Sequence, residues 1–268
     1  MTHTFDGKGA ALARERKLKN ESSELKREGA VPKLVSILVG DDKASKLYVR
    51  LKKQAGGRVG VEVEILTFSE TTSVDEIVEV IGNLNKDDSV HGIMVQLPLP
   101  DNYSLDDRER IIDSIDTKKD VDGLRDESYY TAPVVASVIH IIDEAVVYVD
   151  EDPLVVVVGA SGFEGKKIVD KLRERGFRVE GADTKTRNLK KVTQDADILI
   201  SVTGEPDLIK SDMVSPSAVM VDVGSPRGDV EKNLYDKVEF ISPVPGGVGP
   251  LTVSYLMENV IEATKTSA

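Results

Sequence analysis

Leu154-Val155-Val156-Val157-Val158-Gly159-Ala160-Ser161-Gly162-Phe163-Glu164-Gly165 is the stretch that decides the fold. A leucine followed by an unbroken valine run, with no polar alternation, reads as a strand buried on both faces. Such strands belong to parallel sheets covered by helices. The run ends at Gly159, and glycines spaced G-x-x-G-x-x-G lead into a helix expected over Lys166 to Arg175. A strand that turns through glycines into a helix suits a dinucleotide pyrophosphate, because main-chain amides and the helix N-terminus face negative charge. The spacing is not G-x-G-x-x-G, so the match is imperfect, and a plain strand–helix turn is the competing reading. Asp183 lies at the end of the next strand, about 20 residues on, where an acid binds the ribose 2′-hydroxyl. Lys185 and Arg187 follow at once, and either would suit a 2′-phosphate. The two signals point to different cofactors.

Outward from this unit, strands and helices alternate along the whole chain. Strands are expected at Lys33–Gly40, Val61–Leu66, His91–Gln96, Phe177–Ala182, Asp197–Val202, Ala218–Val223 and Val238–Ile241. Helices are expected at Ala10–Arg27, Ser45–Val59, Val74–Leu84, Leu105–Ile115 and Pro133–Val147. This alternation implies βαβ units and a largely parallel sheet, an α/β fold.

The chain has 268 residues, 40% hydrophobic and 31% charged, which fits a globular protein of two medium domains or one large one. It carries no cysteine, so disulfides, thiolate metal sites and a cysteine nucleophile are excluded. His3, His91 and His140 are scattered without metal-ligand spacing, and no metal is expected. A formal charge of −12 argues against nucleic acid as a partner. No apolar run reaches the roughly 20 residues of a membrane span, and the N-terminus lacks signal-peptide character. A cytoplasmic protein with no membrane partner is expected.

Ser45-Lys46-Leu47-Tyr48-Val49-Arg50-Leu51-Lys52 places Tyr48 and Lys52 four apart on one helix face. An aromatic ring beside a lysine can stack on a flat ligand while the amine handles a proton; taken alone, the pair reads more simply as a solvated lysine and a packed tyrosine. Gln96 ends a buried strand just before Leu97-Pro98-Leu99-Pro100, at the strand end where α/β folds keep ligands. Asp122, in Asp120-Val121-Asp122-Gly123, can accept hydrogen bonds from a heterocycle, with Asp120 the competing acid and a turn aspartate the plain alternative. Pro243-Val244-Pro245-Gly246-Gly247-Val248-Gly249-Pro250-Leu251-Thr252 holds three prolines and three glycines. It is expected as a rigid, non-helical, ligand-lining loop, with Thr252 capping a following helix.

Together these stretches resemble the bifunctional methylenetetrahydrofolate dehydrogenase/cyclohydrolase family, the FolD type. The likeness runs from about Leu34 to about Val260. Its strongest pieces are Ser45-x-x-Tyr48-x-x-x-Lys52, Gly92 to Pro100, Lys119-Asp120-Val121-Asp122-Gly123, Val221-Asp222-Val223-Gly224 and Pro243 to Pro250. The resemblance implies a folate-binding catalytic domain over 1–135, completed by a C-terminal helix at 250–268. It implies a Rossmann-like domain over 136–249, a cleft between the two, and a homodimer. Lys52 would handle the proton of the cyclohydrolase step, Gln96 would orient it, Tyr48 would pack on the folate and Asp122 would hold the pterin. Leu97, Pro245, Gly246, Gly247, Val248, Gly249 and Pro250 would line the substrate. Gly159, Ala160, Ser161, Lys185, Arg187 and Ser225 would meet the cofactor. The family default is NADP, with NAD the alternative. Where the family usually has arginine this chain has Ala160, where it often has histidine Asp183, and where it has isoleucine Ser225. The family's P-C-T-P segment is here Tyr130-Thr131-Ala132-Pro133. A monofunctional dehydrogenase, a small-acid NAD(P) dehydrogenase on a similar frame and a non-catalytic nucleotide-binding module are the rival readings.

Overall fold

The computed structural model describes residues 1–267. In chain order the elements are β1 (His3–Thr4), α1 (Gly7–Arg27), β2 (Lys33–Val39), α2 (Lys43–Val59), β3 (Glu62–Phe68), α3 (Val74–Lys86), β4 (Gly92–Val95) and α4 (Leu105–Asp113). They continue with α5 (Pro133–Ala145), β5 (Leu154–Val158), α6 (Phe163–Glu174), β6 (Arg178–Ala182), α7 (Leu189–Gln194), β7 (Ile198–Ser201), β8 (Val219–Asp222), β9 (Phe240–Ser242) and α8 (Val248–Ser267). The chain divides into two compact units, Met1–Ala11 with Val134–Thr252, and Leu12–Pro133 with Val253 to the C-terminus. Both are α/β, as the alternation predicts. The helix expected over 250–268 extends by Ala268 outside the described residues.

In the unit built on Leu12–Pro133 the sheet has three parallel strands in the order β3-β2-β4. Its middle strand is the apolar run Leu34–Val39, buried throughout. The Asp42 carboxylate accepts from Ser45 N at 2.7 Å and caps α2, and Gly60 closes that helix in the left-handed conformation. The core joins Leu34 and Met94 of the sheet to Leu18 and Leu25 of α1, Ala55 and Val59 of α2, and Leu256, Met257 and Val260 of α8. The ladder between β2 and β4 runs one residue past β4, since Gln96 N donates to Ile37 O at 2.8 Å. The polar side chain of Gln96 is thereby fixed at the carboxyl end of the sheet.

The other unit holds six parallel strands in the order β1-β9-β8-β7-β5-β6. β5 has β6 on one side and β7 on the other, so the chain reverses its winding direction there, and ligands of open α/β sheets bind at that point. The resemblance implies that the first residues belong to the folate-binding domain. They instead supply an edge strand here, His3 against Phe240 and Thr4 against Ile241. Phe5 anchors it: the side chain is buried, with its ring 6.2 Å from that of Phe240. Several helices start earlier than expected, α1 at Gly7 and α2 at Lys43 among them, and two of these starts bear on the glycine-rich segments. α6 begins at Phe163, three residues early, directly on the glycine loop. α8 begins at Val248, so Val248, Gly249 and Pro250 form its first turn and Thr252 is no cap. Its hydroxyl donates back to Val248 O at 3.1 Å. Pro250 is tolerated because first-turn amides have no intrahelical acceptor to lose.

Candidate active site

Lys52 projects from the middle of α2 and is only 9% exposed. Its Nζ donates to Gln96 Oε1 at 3.1 Å and lies 3.5 Å from Met94 Sδ. Gln96 is held in turn, its Nε2 donating to Leu97 O at 2.7 Å. The orientation of that amide follows from its partners: an ammonium offers only donors and a carbonyl only an acceptor. The solvated-lysine reading therefore fails, and the structure brings Lys52 and Gln96 together as the resemblance implies. Tyr48 lies one turn earlier on α2 and is half-buried, as is Leu97.

The two acids of the Lys119–Gly123 segment separate cleanly. Asp120 bridges to Ile93 beside β4 and is fully buried. Its carboxylate accepts from the amides of Leu124 and Arg125 at 3.0 and 2.9 Å, and burial raises its pKa above the ordinary value. Asp120 is thus a buried tie for the turn, and Asp122 is the acid that reaches the surface. Asn259 of α8, absent from the sequence reading, clamps this segment by donating to the carbonyls of Val121 and Thr131 at 2.8 and 3.0 Å.

In the six-stranded unit, Gly159 N and Ala160 N both donate to Ala182 O, at 2.8 and 3.1 Å, which seats the glycine loop on the end of β6. Gly159 has φ +93°, and a Cβ there would come within 2.6 Å of Val202 O, so glycine is required. A Cβ on Gly165 would overlap the Gly159 carbonyl. Helix and strand therefore meet as closely as a pyrophosphate-binding turn demands, and these residues fit a dinucleotide. Ser161 is exposed at the tip, and Lys185 and Arg187 are exposed on the turn after β6. Ser225 is exposed after β8.

The loop bearing Ser225 is held by acids to which the sequence reading gave no role. Asp222 Oδ1 accepts from Gly224 N and Asp229 N at 2.9 and 3.0 Å, and Oδ2 from Val230 N at 3.2 Å. Asp229 Oδ2 accepts from Ser201 Oγ, Thr203 N and Thr203 Oγ1 at 2.7–2.8 Å. Both residues are fully buried, and burial, with Asp229 nearby, pushes Asp222 up to about 6.

The segment 243–247 is latched twice. Val244 N donates to Tyr235 Oη at 3.0 Å, and Gly247 N donates to Pro243 O at 2.8 Å. Gly246 has φ +114°, and a side chain on Gly7 would overlap the carbonyls of Gly246 and Gly247. Gly247 and Val248 are buried; Pro245 and Gly249 are exposed, with Gly246 and Pro250 between. The peptide bonds Leu97–Pro98, Ser225–Pro226 and Val244–Pro245 are cis.

Residues 5–122 match the tetrahydrofolate dehydrogenase/cyclohydrolase catalytic domain, and residues 132–268 match the NAD(P)-binding domain of the same family. The chain belongs to that family. The bifunctional protein FolD of Lactobacillus helveticus is 38% identical, over 99% of this chain and 98% of that one. The crystal structure of the bifunctional FolD enzyme from Campylobacter jejuni superposes with a TM-score of 0.91 at 34% identity, covering 100% of both chains. The Trypanosoma brucei enzyme, solved with NADP and an inhibitor, gives 0.90 at 27% identity, over 99% of this chain and 98% of that one. Among the described residues no helix is long and apolar enough to cross a membrane.

Proposed function

We propose that Lys52 and Gln96 carry the hydrolytic half of a bifunctional folate enzyme, and that the Gly159–Gly165 loop carries the nucleotide of its oxidative half. As a member of this family the chain is a methylenetetrahydrofolate dehydrogenase and methenyltetrahydrofolate cyclohydrolase with an NAD(P)-binding domain. The observation behind the assignment is the buried contact of Lys52 Nζ with Gln96 Oε1.

In the hydrolytic step water adds to the methenyl carbon of the cationic substrate, a proton leaves that water, and the bond from carbon to N5 breaks to give 10-formyltetrahydrofolate. Lys52 takes and returns the proton; Gln96, fixed by Leu97 O, keeps the amine aimed as its charge changes. A cationic substrate beside the lysine favours the neutral amine, the form that accepts a proton. Tyr48 packs on the folate and Asp122 accepts from the pterin, with Leu97 beside them. Pro245 to Pro250 present main-chain groups to the ligands. A bound dinucleotide would supply the acceptor for the hydride that the one-carbon bridge of the methylene substrate gives up. Gly159, Ala160 and Ser161 hold the pyrophosphate, and Lys185, Arg187 and Ser225 stand at the ribose and the neighbouring rim. NADP is the reference cofactor through the resemblance and the trypanosomal complex.

On the resemblance we assign the protein to the cytoplasm as a homodimer. There it supplies one-carbon units for purine, histidine and methionine synthesis. The test is a turnover assay with 5,10-methylenetetrahydrofolate and either dinucleotide, following methenyl- and 10-formyltetrahydrofolate separately. Formation of both products is expected. Methenyl product without enzyme-dependent hydrolysis would leave the monofunctional dehydrogenase in its place.

A further inference from the structure

We propose that this chain selects NAD over NADP, and that the Asp183 carboxylate, set against a loop with alanine at position 160, makes the selection. The inference rests on the dehydrogenase reading and adds to it the identity of the acceptor.

Three features of the ribose end point this way. The loop and the acid are adjacent: Ala160 N donates to Ala182 O at 3.1 Å, one peptide before Asp183. A dinucleotide whose pyrophosphate lies on Gly159–Gly165 therefore brings its adenosine ribose to Asp183. The acid is also fixed. Its Oδ1 accepts from Lys185 N at 2.8 Å, its own amide is bonded to Thr186 Oγ1 at 2.8 Å, and Thr186 N returns to Asp183 O at 3.0 Å. Oδ2 makes no hydrogen bond among the described residues and is left for a ribose hydroxyl. Finally, residue 160 supplies no cation. Its methyl sits over β6, where a Cβ on Gly181 would come within 2.8 Å of it.

The chemistry of the two cofactors differs at this point. A ribose 2′-hydroxyl donates to a carboxylate. A 2′-phosphate offers acceptors and a charge of about −1.5 to −2, which a fixed carboxylate repels. Lys185 and Arg187 are the countervailing charges. Both are exposed on the turn, so holding a phosphate would cost them side-chain freedom in a screened setting. The anchored acid prevails over the two exposed cations.

The test is calorimetric binding of oxidised NAD and NADP to the full chain without folate. NAD is expected to bind at least about tenfold more tightly. Asp183→Asn keeps an acceptor for Lys185 N and removes the charge; it is expected to shift the ratio toward NADP by about tenfold. Asp183→Ser provides an independent check with a smaller side chain. The double variant Lys185→Ala, Arg187→Ala, which removes the countervailing charges, is expected to move the ratio further toward NAD, and a move toward NADP would overturn the proposal. NADP binding equal to or tighter than NAD in the wild type would overturn the proposal. So would an unchanged ratio in both Asp183 variants. Hydrolysis of methenyltetrahydrofolate, measured without dinucleotide, separates the two readings. Hydrolysis with no binding of either dinucleotide sinks the selection but not the cyclohydrolase. NAD binding with no oxidation of methylenetetrahydrofolate sustains the selection and sinks the dehydrogenase.

Discussion

At the carboxyl end of β4 a buried lysine leans on the side-chain oxygen of Gln96. At the carboxyl end of β8, Asp222 and Asp229 are equally buried, but their acceptors go mostly to main-chain amides and to hydroxyls of the neighbouring strand end. The difference lies in what each partner can do. A backbone amide only donates and cannot reorient, so a carboxylate held by amides ties a loop to one shape. A glutamine side chain can adjust as its neighbour changes charge. Burial marks both places as special; the kind of partner separates a chemical group from a scaffold group.

The largest effect that tests this contrast is at Lys52. Lys52→Met keeps most of the volume and removes the amine. Cyclohydrolase activity is expected to fall by about 10²- to 10⁴-fold, the range for loss of a general acid–base group. Dinucleotide binding and the unfolding midpoint should stay close to wild type, because an apolar side chain suits that interior. Hydrolysis within a few-fold of wild type would remove Lys52 from the chemistry and make it a buried structural cation.

Asp229→Ala probes the other side. It strips the acceptor from Ser201 Oγ and from both donors of Thr203 while all lie in or near the interior. A loss of stability on the order of 3 kcal/mol is expected in urea unfolding, since unsatisfied buried donors cost about 1–3 kcal/mol each and relax in part. Dinucleotide affinity should fall as well, through the loosened loop that carries Ser225. A variant as stable as wild type would show that the acid does not hold the strand ends together.

The contrast was half legible in the sequence. The valine run, the glycine turn and the Tyr48–Lys52 spacing carry local information, and each emerges in the element expected. Asp120 and Asp122 share one turn and one residue type, so only tertiary packing could say that Asp120 points inward to Leu124 and Arg125. β1 was invisible because a two-residue strand has no period; it exists through pairing with β9, more than 230 residues away. The start of α8 is hidden in the sequence because its first turn contains Gly249 and Pro250, which count against a helix interior but are tolerated at its first turn. Asp229 lies outside the quoted Val221–Gly224 motif, and its partners are the distant Ser201 and Thr203.

The smallest and most discriminating effect is the pH dependence at Asp222. Burial pushes its carboxyl from the ordinary carboxylate range up to about 6. A carboxyl raised on folding binds its proton more tightly in the native state, so its contribution is most favourable below about pH 4 and declines as pH rises through 6. A separation of about two units corresponds to about 3 kcal/mol at most. Asp222→Asn cannot ionise. It turns one donor toward Val230 N, an offset that does not vary with pH. Exposed carboxylates with lowered pKa, such as Asp42, Asp87 and Asp212, titrate alike in both proteins and cancel in the difference. Hydrogen exchange of the β7 and β8 amides, read from pH 4 to 7, should therefore show wild type losing protection relative to the variant as pH rises. Parallel profiles would mean that the amides of Gly224, Asp229 and Val230 hold Asp222 ionised throughout, with the desolvation cost fully offset by the loop it organises.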